Sequence, residues 1–436
     1  MEWYWALCTL IGMVIFFMAM GIPVAFTFIL TNLIGVMIFY GDTVGWIQIA
    51  DNSTQLITRF TLGPVPIFIM MGALFFHTGL AIRVFNGLDV LFGKLPGRLC
   101  FLTVAGGSIF STLTGSSMAN TAMLGSLMVP EMQKRGYNSR MSMGPILGTG
   151  GLAMIIPPSA LGVLLASVAN IDVGRLLVAG FLPGFLLAAL YAIMIYGQLK
   201  IWPESAPAYE IEMPPMAERI KLICINILPM SLIVFMVVGF IILGWATPTE
   251  AAAFGVFGVV ILAGAFRVLT FRAIFTSVEA TVKVAAMVFF IIMSSTVFSQ
   301  LLAYSGASAG LLKWAAGFDL SKYWILLIMF VILILLGMFM DATSMMLITV
   351  PIFFPLAQNL GFDLIWFGLF VLMTFEMAGT TPPFGLLLYV MLGVAPKGTT
   401  LYQVASAAFP FLVCDAILIL ILVAFPALAL WLPGLM

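Results

Sequence analysis

Apolar runs long enough to cross a bilayer recur from one end of the chain to the other, separated by short polar or Pro/Gly-bearing interruptions. A membrane-spanning helix needs roughly 20 apolar residues. On that measure crossings are predicted at 3–20, 23–41, 62–80, 141–167, 176–199, 222–243, 248–266, 284–304, 364–394 and 409–432. Two further runs are broken, 97–133 at Thr114-Gly115-Ser116-Ser117 and 323–358 at Asp341-Ala342-Thr343-Ser344. The longest polar stretch, 200–221, carries Glu204, Glu210, Glu212 and Glu218 among four prolines and reads as a solvated linker. Stretches 43–60, 83–95 and 268–282 mix apolar and charged residues and are predicted to lie as interfacial helices along the membrane.

Composition turns this pattern into a class. The chain has 436 residues, 63% hydrophobic and 8% charged, against roughly 45–50% and 25% in a soluble domain. So little charge excludes a soluble enzyme, a nucleic-acid binder and a disordered scaffold. Cys8, Cys100, Cys224 and Cys414 lie in or beside apolar runs and are expected to be small buried hydrophobes without disulfides. The single His77 sits in an apolar run and reads as structural, so no metal-ligand cluster and no cofactor is expected. Met1-Glu2-Trp3 lacks the basic start of a signal peptide, which predicts a retained first span. Gly306-Ala307-Ser308-Ala309-Gly310 has the spacing of a serine-hydrolase elbow, but that motif needs a strand, a turn and a His partner. Neither a nucleophile–base pair nor a phosphate-binding loop is visible, so the chain does not read as an enzyme or an ATPase.

The few charges orient the spans. Thirteen basic residues (Arg83, Lys94, Arg98, Lys134, Arg135, Arg140, Lys200, Arg219, Lys221, Arg267, Arg272, Lys283 and Lys397) fall on one face, and Arg59, Arg175, Lys313 and Lys322 on the other. That bias holds only if 97–133 enters and leaves by the cytoplasmic side and 323–358 by the outer side, both as re-entrant hairpins. The result is ten crossings with both termini outside.

The halves also resemble each other at an offset of 225 residues: Pro23 with Pro248, Pro130 with Pro355, Gly136 with Gly361, Pro157-Pro158 with Pro382-Pro383, Leu161 with Leu386. Five crossings per half invert the second copy. The predicted fold is an all-α polytopic membrane protein of inverted-topology repeats, about five spans plus one re-entrant hairpin each. The first repeat is 1–199 (scaffold helices 1–96, hairpin and broken helix 97–170). The linker is 200–221, and the second repeat is 222–436 (scaffold helices 222–304, hairpin and broken helix 323–396). Such repeats characterise secondary transporters whose site lies where broken helices meet.

Bare backbone is tolerated at membrane depth only against protein or a wet cavity. Four breaks therefore locate the chemistry. The hairpin tip Gly115, Ser116, Ser117, with Asn120 one turn on, pairs with the span holding Gly150, Gly151, Pro157, Pro158 and Ser159. The tip Asp341, Thr343, Ser344 pairs with the span holding Gly379, Thr380, Thr381, Pro382 and Pro383. Freed carbonyls and hydroxyls suit a small dehydrated cation, and half-helix N-termini suit an anion. Two related breaks predict at least two cation sites flanking an anionic substrate. Among acids in or near the spans, Asp341 is a candidate ligand and Glu376 is placed to ligate or to hold the Gly379 break open. Glu250 reads as a helix-start cap and Asp415 as a residue at the membrane interface.

These motifs resemble the large membrane subunit (M, or DctM) of tripartite ATP-independent periplasmic (TRAP) transporters. The resemblance rests on Gly21-Ile22-Pro23, Gly115-Ser116-Ser117, Ile156-Pro157-Pro158-Ser159, Ala246-Thr247-Pro248-Thr249-Glu250-Ala251-Ala252, Met340-Asp341-Ala342-Thr343 and Thr381-Pro382-Pro383-Phe384-Gly385, in order along essentially the whole chain. It implies sodium-coupled uptake of a carboxylate-bearing solute across the bacterial inner membrane by an elevator movement. The implied partners are a periplasmic substrate-binding protein and a small four-helix membrane subunit, the latter a separate polypeptide. It places a first sodium site at Ser116, Ser117, Asn120 and Gly151, and a second at Asp341, Thr343, Gly379 and Thr381. The chain departs from many relatives at Thr380, where they have Asn, and Phe384 stands where the first half has Ser159. A stand-alone sodium- or proton-coupled anion symporter of the same architecture, without a binding protein, remains the alternative.

Overall fold

A computed structural model describes residues 2–40, 45–47, 49–51, 54, 62–91, 95–114, 117–207, 215–317 and 321–436. Apart from short 3-10 turns, all of its regular structure in those residues is α-helical. In the first half the helices are α1 (Trp3–Ala19), α2 (Val24–Phe39), α3 (Pro64–His77), α4 (Leu80–Leu91), α5 (Arg98–Thr114), α6 (Ser117–Lys134), α7 (Ser139–Ile155), α8 (Ala160–Ala169), α9 (Val173–Ala179) and α10 (Phe181–Ile201). In the second they are α11 (Met216–Asn226), α12 (Leu228–Ile242), α13 (Pro248–Ala265), α14 (Phe271–Tyr304), α15 (Ala307–Ala316), α16 (Lys322–Gly337), α17 (Ala342–Asn359), α18 (Leu364–Thr380), α19 (Leu386–Val394), α20 (Leu401–Ala424) and α21 (Ala427–Leu430).

The 225-residue offset is written into the helix ends. α6 and α17 have the same length and register, as do α7 and α18. The local causes repeat too. Gly136 (φ +81°) and Gly361 (φ +75°) make the same left-handed turn, which a side chain would strain. Two residues later Asn138 accepts from the Met141 N–H at 2.8 Å, and Asp363 accepts from Ile365 and Trp366 at 2.8 and 3.0 Å. These N-caps start the two central helices. α7 is buried from Met141 to Ile155, and α18 is buried over most of its length. A helix apolar all round belongs in the middle of a bundle.

Among the described residues, five helical stretches are long and apolar enough to cross a bilayer: 173–201, 216–242, 248–265, 271–304 and 401–424. α7 and α8 form a sixth, bent by 42° at their break. Large apolar side chains such as Phe235 (71% exposed), Ile193 and Phe257 cover the outside. The chain is a multi-pass integral membrane protein.

Several expectations need correction. Residues 268–282 and 284–304 are not an interfacial helix and a separate span. They form one helix, α14, N-capped by Thr270. No Gly or Pro interrupts 271–304, and the exposed Glu279–Lys283 pair (2.6 Å) carries the helix past the apolar zone. The last span runs 401–424 rather than 409–432, because a Thr400/Gln403 capping box starts it and leaves Pro410 inside. Residues 216–221 are helix rather than linker. Cys100 and Cys414 are buried, but Cys8 and Cys224 are exposed. His77 is exposed in the last turn of α3. Most of 43–60, with 92–94 and 208–214, lies outside the described residues. Gly306 and Gly310 have a packing explanation: the first is the left-handed cap of α15, and a Cβ on the second would sit 2.1 Å from the Trp3 ring. Glu250 closes a capping box with Thr247, as its position predicts.

Candidate functional site

At the first hairpin Gly115 and Ser116 lie outside the described residues. Ser117 opens α6, and Ser117, Asn120 and Thr121 share one helix face. The Asn120 amide donates to Ser111 Oγ at 2.5 Å and to the Thr149 carbonyl at 3.0 Å. Ser111 Oγ donates to the same carbonyl at 2.9 Å, so both hairpin arms are tied to α7. Three side-chain oxygens are left over. Ser117 Oγ, Asn120 Oδ1 and Thr121 Oγ1 are buried with no hydrogen-bond partner. Buried oxygens normally find donors, and each orphan costs about 1–3 kcal/mol. Thr121 Oγ1 faces α7 where that helix has no side chain, since a Cβ on Gly150 would fall 2.2 Å from it and 3.7 Å from the Ser117 carbonyl oxygen.

The break after α7 is sealed. Ile156, Pro157, Pro158 and Ser159 are buried, with a cis bond between the prolines. Ser159 Oγ donates to the Met154 carbonyl at 2.7 Å and accepts from the Gly162 N–H at 3.0 Å, which caps α8. The end of α7 is covered by backbone, for a Cβ on Gly180 would lie 2.1 Å from the Ile155 carbonyl oxygen.

The second hairpin tip is built differently. Asp341 is the N-cap of α17, accepting from the Thr343 and Ser344 N–H groups at 3.0 and 3.3 Å and from the Ser344 hydroxyl. On α18, Thr380 and Thr381 donate to the Met377 carbonyl at 3.1 and 2.6 Å. Gly379 has only ordinary contact with Leu387. Gly385 is the glycine that the loop needs, since a Cβ there would lie 2.6 Å from the Gly379 carbonyl oxygen. Pro382, Pro383 and Phe384 are exposed.

A cavity of about 550 Å³ joins the halves. Ser117, Met154 and Leu161 line it from the first, Asp341, Thr343 and Gly379 from the second, and Val284, Met287, Val288 and Ile291 of α14 close it. Asn120 and Gly150 are not part of its lining. Ser344, Thr380, Thr381 and Pro383 are outside the lining, and Pro382 borders a separate cleft with Asn138, Arg140 and Tyr402.

Glu376 is not at the Gly379 break. It reaches across to α7, where a Cβ on Gly151 would meet its Cγ at 2.0 Å. Asp415 is not interfacial either. It is 3% exposed and accepts from Tyr191 Oη at 2.5 Å. Sequence reasoning missed Thr121, Ser111 and Tyr191. Thr121 alone carried a signal, its i+4 spacing from Ser117.

The chain matches, over residues 11–428, the family described as the tripartite ATP-independent periplasmic transporter, DctM component. It is 30% identical over 440 residues to the C4-dicarboxylate TRAP transporter large permease protein DctM of Rhodobacter capsulatus, covering 98% of each. It is 27% identical over 417 residues to the sialic acid TRAP transporter large permease protein SiaM of Vibrio cholerae, covering 95% of each. To the isethionate TRAP transporter permease protein DctMQ of Oleidesulfovibrio alaskensis it is 28% identical, over 98% of this chain and 66% of that protein. Among solved structures it resembles the Alcanivorax borkumensis YdaH transporter, with a TM-score of 0.66 at 14% identity, covering 88% of this chain and 90% of that one.

Proposed function

The chain belongs to the DctM component family of tripartite ATP-independent periplasmic transporters, and from that premise we propose that it imports an organic acid across the bacterial inner membrane, driven by sodium. The solute arrives on a periplasmic binding protein, and a small four-helix membrane subunit accompanies this chain. Both termini face the periplasm. The solute class follows the relatives, named for C4-dicarboxylates, sialic acid and isethionate, all organic anions. Each hairpin with its broken helix moves as an elevator against the scaffold helices, with the 550 Å³ cavity at their boundary against α14.

One observation carries the sodium reading: the three unpartnered oxygens of Ser117, Asn120 and Thr121. A dehydrated Na⁺ is the ligand that neutral oxygens without donors suit, and it repays their desolvation. Ser116 completes this site by the family resemblance. The second site uses Asp341, Thr343, Gly379 and Thr381. Ser117, Asp341 and Thr343 line the cavity wall, which supports a reading in which the cations bind beside the carboxylate and the two load together.

The test is uptake into proteoliposomes holding this chain and its small subunit, with binding protein and labelled solute outside. A sodium gradient should drive accumulation. Equal accumulation with sodium replaced by choline, at constant pH and potential, overturns the coupling.

A further inference from the structure

Gly151 and Glu376 are 225 residues apart and so occupy equivalent places in α7 and α18. They also touch, a Cβ on Gly151 falling 2.0 Å from Glu376 Cγ and 2.3 Å from its Oε1. Equivalent positions meet where two halves are related by a two-fold axis. Tyr191 on α10 and Asp415 on α20, 224 residues apart, meet at the same place. Cys414 Sγ, the remaining titratable group there, lies 3.9 Å from the Leu190 carbonyl.

Tyr191 Oη donates to Asp415 Oδ1 at 2.5 Å and lies 3.3 Å from Glu376 Oε1. Tyr191 is the sole hydrogen-bond partner of the Glu376 carboxyl among the described residues, and Glu376 Oε2 has none. Neither carboxyl forms an ion pair with a described residue. Such a carboxyl is held by packing and one hydroxyl. What it packs on is the Gly150-Gly151 segment, whose other side abuts Thr121.

We propose that Tyr191 and Asp415 are positioning residues for the first cation site. They hold Glu376 against Gly151, and the clamped α7 backbone sets the spacing between Gly150 and the oxygens of Ser117, Asn120 and Thr121. Asp415 fixes the Tyr191 hydroxyl and the hydroxyl fixes Glu376, so a contact on the axis between the repeats tunes a site in only one of them. The inference rests on the sodium reading above.

The test is sodium-dependent uptake in the same proteoliposomes with Tyr191→Phe, which removes one oxygen. Half-saturating sodium should rise about tenfold, the scale of one lost hydrogen bond to a carboxyl, with maximal uptake near wild type and a melting temperature lower by a few degrees, because two buried carboxyls lose their donor. Asp415→Asn keeps an oxygen to accept from Tyr191 and should stay near wild type. Asp415→Ala should behave like Tyr191→Phe. Half-saturating sodium unchanged in Tyr191→Phe, or a loss of maximal uptake in its place, overturns the proposal and leaves the cluster a packing feature. Asn120→Ala separates the two readings. A sodium shift there without one in Tyr191→Phe sinks the positioning role alone, whereas no shift in Asn120→Ala sinks the cation site itself.

Discussion

The helices that leave the two hairpin tips, α6 and α17, have the same length and register and opposite chemistry. In the first, Ser117, Asn120 and Thr121 leave buried oxygens without partners. At the equivalent places of the second stand Ala342, Met345 and Met346. Gly150, which lets Thr121 approach α7, and Gly151, which makes room for Glu376, correspond to Phe375 and Glu376. The oxygens of the second tip are one to two positions displaced, on Asp341, Thr343 and Ser344, and the Asp341 and Ser344 groups are occupied in capping α17. Duplication conserved the Pro, Gly and cap residues that shape the backbone. Side chains facing the axis had to diverge, because two copies of a bulky residue cannot occupy one place. Gly151 is small because Glu376 is large.

The largest expected effect tests that complementarity. In Gly151→Ala the new methyl overlaps Glu376 Cγ, which belongs to the rigid centre of the bundle. Overpacking costs about 1–3 kcal/mol, and uptake should fall on the order of a hundredfold if the strain falls on the transport-competent state. Gly379→Ala meets only Leu387 at 3.6 Å and should transport within about twofold of wild type while gaining a little helix stability. Equal damage from both would mean that the halves are not specialised where they meet.

The middle effect tests the orphan oxygens. Thr121→Val keeps shape and removes a hydroxyl that has no partner. If that oxygen were only structural, its loss would be neutral or stabilising. We expect the melting temperature to hold or rise while half-saturating sodium increases about tenfold. Thr381→Val removes a hydroxyl already donating to Met377 and should shift sodium activation far less. A larger shift from Thr381 than from Thr121 would move the main cation site to the second half.

Much of the fold was legible because Pro and Gly write backbone constraints directly into sequence. Pro157-Pro158 and Pro382-Pro383 marked both breaks, and Gly136 and Gly361 both turns. What stayed hidden depends on tertiary neighbours. Hydropathy marks where apolar residues stop, not where a helix does, so the charged first turns of α14 looked like a separate element. Asp415 looked interfacial because its partner Tyr191 lies 224 residues away. Thr121 was passed over because a helical Thr hydroxyl ordinarily bonds a carbonyl one turn back, as Thr149 does with Pro145. Only the packed structure leaves it unpaired.

The smallest effect decides what Asp341 contributes. Its carboxylate takes two N–H groups at the start of α17, and losing an N-cap costs about 1 kcal/mol. Asp341→Ala should therefore lower the melting temperature by a few degrees, whereas Asp341→Asn, which still caps, should melt like wild type. The Asn variant isolates the charge. As a cation ligand Asp341 gives two sodium-binding halves of unequal design, and Asp341→Asn raises half-saturating sodium at unchanged stability. If sodium activation is unchanged in Asp341→Asn, the carboxylate serves only to cap, and the first tip alone carries the coupling cation.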